Sequence, residues 1–315
     1  MTQQNAERKA SPRDMAGISM ERLGEKYKDI VVLTADVNSN TKVDGFLEKY
    51  PERSYNMGIA EQNLLSFAAG LAQEGAVPFA FTFAPFATMR ACEQLRTDVC
   101  YPNLPVKVLG SYAGYSGGLS GCTHCALEDC AITTSFGNMT VLEPSDPFLA
   151  GKLLEASVLR QGPMYMRLGL ETLPPLYDSE QSVEIGKALF PVEGGDGAFL
   201  CSGITVYYAV EAAKRLKEEC GAAIRVVDLH TIKPIDRDAV CSAAKTGRVI
   251  CAQDHTVIGG LGYAAAAVIA EAGLACKFKI LGCPDHFVPI AKPDYLYHLN
   301  HYDAAGLYEE MKALL

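Results

Sequence analysis

Short apolar runs rich in β-branched and aromatic residues alternate with longer stretches of helical period along almost the whole chain. The runs predict strands at 30–35 (IVVLTA), 78–83 (PFAFTF), 106–111 (VKVLGS), 140–144 (TVLEP) and 164–169 (MYMRLG). A second set follows at 198–203, 224–229, 248–254 and 277–282. Helical periodicity fills the intervals at 60–73, 86–100, 147–160, 206–220, 261–272 and 304–315. Several strands are apolar at nearly every position, as strands buried on both faces are. The pattern predicts an α/β protein of two domains, each a mostly parallel sheet flanked by helices. Between 170 and 197 the period lapses into a segment rich in Pro, Gly and acids. This places a junction between domains at 10–180 and 190–315.

One helix carries an anomaly. In YNMGIAEQNLLSFAAGLA (55–72), Leu64, Leu65, Ala68 and Ala72 fall within about 60° of Glu61 on a helical wheel. Glu61 is thus central to the apolar stripe, and a buried carboxylate needs a partner or neutralisation. An acid at the positive end of a helix and an acid kept for chemistry both fit this window.

The chain has 315 residues, 49% of them hydrophobic, and a formal net charge of −9. Such a balance argues against a nucleic-acid or anionic-membrane surface, though not against a local basic pocket for a phosphorylated metabolite. The N-terminal segment is polar and lacks the apolar core of a signal peptide, and no apolar run is long enough to span a bilayer. Eleven cysteines without an export signal point to free thiols in a reducing cytoplasm.

Other stretches add candidate chemistry. Phe83, Phe86 and Met89 follow a predicted strand at i, i+3, i+6 spacing and would line one side of a strand-to-helix turn. The strand at 106–111 opens into the Gly-rich GSYAGYSGGLSGCTHCALEDCA (110–131), where His124 stands just before a helix, suited to proton work or anion contact. Arg167 ends an apolar strand and needs an anionic partner; an internal carboxylate and a substrate phosphate both serve. Cys122, Cys125 and Cys130, with His124 among them, have the spacing of metal ligands or redox thiols. GGLGYA (259–264) imitates a dinucleotide fingerprint without its third glycine and reads as close helix–loop packing.

In order and spacing, ERSYNMGIAEQNLLSFAAGLAQEG, FTFAPFA, GCTHCALEDCAI, EPSDPFLA and MYMRLG resemble the pyrimidine-binding domain of the transketolase family of thiamine-diphosphate enzymes. QDHTVIGGLGYAAAAVI and GCPDHF are similar to that family's C-terminal domain. The resemblance implies ketol transfer: a two-carbon unit passes from a ketose phosphate to an aldose phosphate. It implies that Glu61 hydrogen-bonds N1′ of the cofactor's aminopyrimidine and couples proton movement to the thiazolium. It places Phe83 and Phe86 on the aminopyrimidine, with Met89 where an aromatic often completes that pocket. Asp36 matches an acid near the cofactor, His124 a substrate-facing histidine, and Arg167 an arginine that holds the sugar phosphate.

Three positions depart from the family pattern. Ser120 stands where an acid reads a donor-sugar hydroxyl, Tyr112 where a histidine contacts phosphate, and Cys125 where glutamine is common. These leave the cofactor chemistry in place and point to an unusual sugar. The family's diphosphate and Mg²⁺ motif, GDG followed at short range by Asn, is missing: after Gly195-Asp196-Gly197 the first asparagine is Asn300. The resemblance therefore implies the C-terminal subunit of a split transketolase, with a separate N-terminal chain supplying the diphosphate and Mg²⁺ contacts in a heterotetramer. The β subunit of a 2-oxo acid dehydrogenase's decarboxylase component shares the domain pair, but its His-rich loop is absent and the TH-x-x-LED loop favours transketolase.

Overall fold

The computed structural model describes residues 10–172 and 174–315; the polar N-terminal segment read for a signal peptide lies mostly outside them. Among the described residues, twelve strands form two sheets. The first contains β1 (Ile30–Thr34), β2 (Ser54–Asn56), β3 (Val77–Phe83), β4 (Lys107–Ser111), β5 (Thr140–Leu142), β6 (Met164–Leu168) and β10 (Thr231–Lys233), in the order β10-β5-β6-β4-β3-β1-β2. The second contains β7 (Leu189–Val192), β8 (Gly197–Cys201), β9 (Ile224–Asp228), β11 (Arg248–Thr256) and β12 (Lys277–Cys283), in the order β12-β11-β8-β9-β7. All pairings are parallel except the edge strands β10 on β5 and β7 on β9. This is the mixed, mostly parallel two-sheet architecture that the strand–helix alternation predicts, with helices covering the faces.

Several elements were not anticipated. A helix at Pro12–Lys26 opens on a capping box: Ser11 Oγ accepts from Asp14 N, and Asp14 Oδ2 accepts from Ser11 N. Helices at Arg237–Ala244 and Pro293–Leu299, and the short strands β2, β7 and β10, also lie outside the predicted set. β10 belongs to the C-terminal half in sequence yet pairs with β5 in the first sheet, so the two halves share a sheet edge.

The interval 86–100 is helical as expected but not regular α-helix. Ala91 N donates to Phe86 O, an i→i+5 bond, and i→i+5 winding recurs at Leu95–Cys100. Gly195-Asp196-Gly197 is a turn into β8, with Asp196 Oδ2 accepting from Ala223 N at 2.8 Å. In GGLGYA, a Cβ at Gly262 would stand 2.6 Å from Ile280, which is the close packing expected of this segment. Among the described residues, no helix is long and apolar enough to cross a membrane.

Candidate active site

The parallel strands β1, β3, β4 and β6 end together at Thr34, Phe83, Ser111 and Leu168, with Phe83 opposite Ser111 and Ser111 opposite Leu168. Open α/β sheets bind ligands beyond this edge. Asp36, Phe83, Phe86 and Tyr112 therefore emerge along one side of the sheet.

Glu61 is the first residue of the helix Glu61–Gln73. The wheel is realised: Leu64, Leu65, Ala68 and Ala72 are buried, and Glu61 is buried with them at 2% exposure. Its described hydrogen bond is to Arg90, whose Nη1 donates to Glu61 Oε2 at 2.8 Å. Arg90 was not among the sequence candidates. Its guanidinium also lies 4.1 Å from the Phe86 ring centroid, a cation–π contact that joins the acid to the aromatic turn. The available signal was its position four residues after Phe86, which puts both on one side of a helical turn.

The rings form a continuous cluster. Phe83 stands 4.5 Å from Tyr112, 5.9 Å from Phe86 and 5.8 Å from His124, centroid to centroid. His124 meets Phe86 edge-on at 5.4 Å, and its Nδ1 lies 2.9 Å from Thr123 Oγ1. Tyr112 turns off β4 with φ +64°, a backbone conformation that L residues rarely adopt. Thus Glu61, Phe83, Phe86, Tyr112 and His124 are gathered, with Arg90 as the link.

The candidates Asp36, Ser120 and Met89 are exposed and lie outside the ring cluster. Asp36, at φ +60°, is exposed beyond β1; Asn56 Oδ1 accepts from its N–H and Asn56 Nδ2 donates to its carboxylate at 2.9 Å. Ser120 is exposed at the end of the short helical turn Tyr115–Ser120. Met89 is 40% exposed: the i, i+3, i+6 stripe presumed a 3.6-residue turn, and the wider winding from Phe86 breaks it.

Arg167 lies at the strand edge with its side chain wholly buried, and every described contact it makes is internal. Nε and Nη2 grip Asp129 at 2.9 and 3.0 Å, and Nη1 donates to Glu143 at 2.6 Å. Nη2 also donates to the carbonyls of Ala126 and Asp254. Burial opposes its charge, but Asp129 and Glu143 outweigh that and hold the guanidinium protonated more firmly than usual. With its side chain wholly buried among these acceptors, the guanidinium is held in an internal salt bridge and presents no exposed face to a substrate phosphate.

That salt bridge belongs to a network joining the two sheets. Tyr165 OH donates to Asp129, while Ser202 Oγ and Gln253 Nε2 from the second sheet donate to Glu143 Oε2 at 2.6 and 2.7 Å. Nearby, Asp254 accepts from Tyr115 N and from the hydroxyls of Tyr297 and Tyr302. Burial pushes Asp254 up to about 7 despite the nearby Arg167 charge.

The three loop cysteines do not converge. Cys130 is buried against Gln253 Nε2, Cys125 is buried in the C-terminal core with Tyr115, and Cys122 is exposed. Asp129, Cys130 and His255 come within 4.8 Å of one another. Asp129 is already held by Arg167, and His255 Nε2 accepts from Ala131 N.

Comparison with known proteins agrees with the two-domain fold. Residues 8–174 match the model of the transketolase pyrimidine-binding domain, and residues 186–307 that of the transketolase C-terminal domain. A putative transketolase C-terminal section of Methanocaldococcus jannaschii is 37% identical over 94% of this chain and 95% of its own length. The 6-deoxy-6-sulfo-D-fructose transketolase subunit SqwH of a Clostridium species is 37% identical over 86% of this chain and 84% of its own. A solved split-gene transketolase, described as an inactive β4 tetramer, superposes with a TM-score of 0.88 at 37% identity, covering 97% of this chain and 98% of that one. The chain belongs to the transketolase family, a family of thiamine-diphosphate enzymes.

Proposed function

We propose that this chain is the C-terminal subunit of a two-chain transketolase that moves a two-carbon ketol unit from a ketose phosphate to an aldose or aldose phosphate. The observation that carries the proposal is Glu61: an almost wholly buried carboxylate beside a cluster of four rings at the open edge of a parallel sheet. A neutral residue would fill that stripe position at less cost, so the acid is kept for chemistry. The donor set fits the aminopyrimidine end of thiamine diphosphate, with Glu61 toward the ring nitrogen and Phe83 and Phe86 toward its faces. When bound, the cofactor supplies the nucleophilic carbon and the electron sink for ketol transfer.

The chain's own residues divide the remaining work. Glu61 holds and returns a proton at its carboxylate, and Arg90 fixes the orientation of that carboxylate through Oε2. Phe83, Phe86 and Tyr112 exclude water, which strengthens every polar contact inside. His124, oriented by Thr123 and the two phenylalanines, is placed to exchange a proton with a sugar hydroxyl. Asp36, Ser120 and Met89, all exposed at or near this edge, are assigned to the face that a partner chain or the sugar completes. Phosphate recognition and the diphosphate–Mg²⁺ contacts belong to an N-terminal partner subunit, since Arg167 is committed internally and Gly195-Asp196-Gly197 is a turn. The inactivity named for the β4 relative supports a requirement for that partner; we pair the two chains in a heterotetramer and, from the eleven free thiols, assign it to the cytoplasm.

The test is reconstitution. Mixed with an N-terminal chain bearing GDG and its asparagine, thiamine diphosphate, Mg²⁺, a ketose phosphate and an aldose phosphate, the wild-type chain should turn over. Glu61→Gln should abolish turnover while leaving the fold and assembly intact. A fully active Glu61→Gln variant would refute the site.

A further inference from the structure

Cys122 and Cys125 form a C-x-x-C pair whose two inner residues are Thr123 and His124. His124 N and Cys125 N both donate to Gly121 O, at 3.0 and 3.2 Å, so the segment is a single helical turn. Residues three apart on such a turn carry Cβ atoms about 5–6 Å apart, and a disulfide needs about 3.5–4.5 Å, so closing it requires an approach of about 1–2 Å. Both cysteines line one crevice with Tyr115, Gly118, Gly121 and Phe287. Cys122 opens to solvent and Cys125 is 6% exposed beneath it.

We infer that Cys122 and Cys125 are an oxidisable dithiol whose disulfide displaces His124, and that peroxide is the oxidant class it answers to. The Cys122 thiolate attacks the O–O bond of hydrogen peroxide, giving a sulfenic acid and hydroxide, which takes up the proton Cys122 had released to become water. The Cys125 sulfur then attacks the Cys122 sulfur; the S–S bond forms and the sulfenic oxygen leaves as a second water with the Cys125 proton. Two thiols are oxidised by two electrons and one peroxide is reduced to two waters. The order follows from exposure: Cys122 meets the oxidant, whereas burial pushes the Cys125 thiol up to about 12 and keeps it from reacting first. Drawing the two sulfurs together tightens the turn between them, and that turn is what holds Thr123 Oγ1 against His124 Nδ1 and the imidazole against Phe83 and Phe86.

The experiment treats the full-length chain with hydrogen peroxide, blocks remaining thiols with an alkylating agent under denaturing conditions, and maps peptides by mass. The expected result is a peptide holding Cys122 and Cys125 that is two hydrogens lighter, takes up no alkyl group, and is restored by dithiothreitol. Cys122→Ser and Cys125→Ser should each abolish that product. Two alkylated thiols after peroxide, a Cys122 sulfinic acid beside a free Cys125, or a bond from Cys125 to Cys283 would each overturn the pairing. The consequence for activity rests on the proposed ketol transfer. In the reconstituted enzyme, peroxide should lower turnover about a hundredfold or more, the scale of losing one acid–base group, with recovery on reduction and resistance in Cys122→Ser. A disulfide formed without loss of turnover would overturn the displacement of His124. Absence of turnover before oxidation would instead indict the functional reading and leave the peptide map to decide the dithiol.

Discussion

Replacing Arg167 with alanine separates a structural arginine from a substrate-binding one. The guanidinium makes five described hydrogen bonds, three of them to the carboxylates of Asp129 and Glu143. Those side chains are 0% and 6% exposed, so truncation strands two buried negative charges with no counter-charge. Breaking a buried ion pair from one side costs about 3–5 kcal/mol. At about 2–4 °C per kcal/mol for domains of this size, the melting temperature should fall by about 6–20 °C. Differential scanning calorimetry at fixed protein concentration, without the partner chain, measures this directly, because subunit association would shift the midpoint by itself. Neutralising the stranded acids in Arg167→Ala/Asp129→Asn/Glu143→Gln should recover part of the loss. A variant that melts within about 1 °C of wild type, with only a raised KM for phosphorylated sugars, would refute the reasoning and return Arg167 to the substrate.

Other outcomes follow from the same contacts. Arg90→Leu should destabilise the chain by about 1 kcal/mol in urea unfolding, at the low end for a charge-assisted bond because Arg90 is 44% exposed; an unchanged midpoint would show that it does not hold Glu61. Burial pushes Asp228 from its ordinary 3.8 up to about 7, with Oδ1 unpartnered, so the native state keeps a proton that the unfolded chain has released. Stability should therefore fall as pH rises from about 4 to about 7 and level off above, and Asp228→Asn should flatten part of that slope, leaving the share of Asp254. A slope identical in the variant would assign it elsewhere. Gly114→Ala should cost at least about 2 kcal/mol: the residue sits at φ +59°, and a Cβ there would fall 1.9 Å from Asp254 Oδ2. Wild-type stability in that variant would mean the Asp254 clamp yields freely.

The buried parallel strands were legible because their apolar runs are short, dense and regularly interrupted. The helix Pro12–Lys26 was not, because much of its buried face is Ala16, Gly17, Ser19 and Gly24 rather than large apolar residues. A Cβ at Gly17 would stand 1.9 Å from Lys42 O, so this helix is packed by closeness, which a hydrophobicity pattern does not register. β10 is three residues long and gains its strand character from pairing with β5, in a sheet whose other strands all come from the N-terminal part of the chain. At the site, Glu61 could be read from its own helix, because a wheel reports burial and an acid at its centre is conspicuous. Arg167 could not be settled that way. Its partners Asp129 and Glu143 lie in ALEDC and EPSDP, 38 and 24 residues away, and only the crossing of strands brings them together. Arg90 was hidden for the opposite reason: half-exposed arginines are common, and nothing local shows that one of them faces a buried acid.

These contacts also explain why the second sheet must accompany the first. The loop from Tyr112 to Glu128 carries the ring that meets Phe83 and the imidazole that meets Phe86. It follows β4 and is hydrogen-bonded to β11 near each end: Tyr115 N donates to both carboxylate oxygens of Asp254, and Thr256 N donates to Leu127 O at 2.8 Å. The next turn after β5 is held in the same way, with Ser145 Oγ donating to Asp228 of β9 at 2.5 Å and Glu143 receiving Ser202 and Gln253. Loops at a strand edge are mobile unless their backbone groups are satisfied, and here the satisfying groups come from the other sheet. The acid on the Glu61 helix is positioned by the first domain alone. The histidine opposite is positioned by both, so a site that needs the two together needs both sheets in one chain.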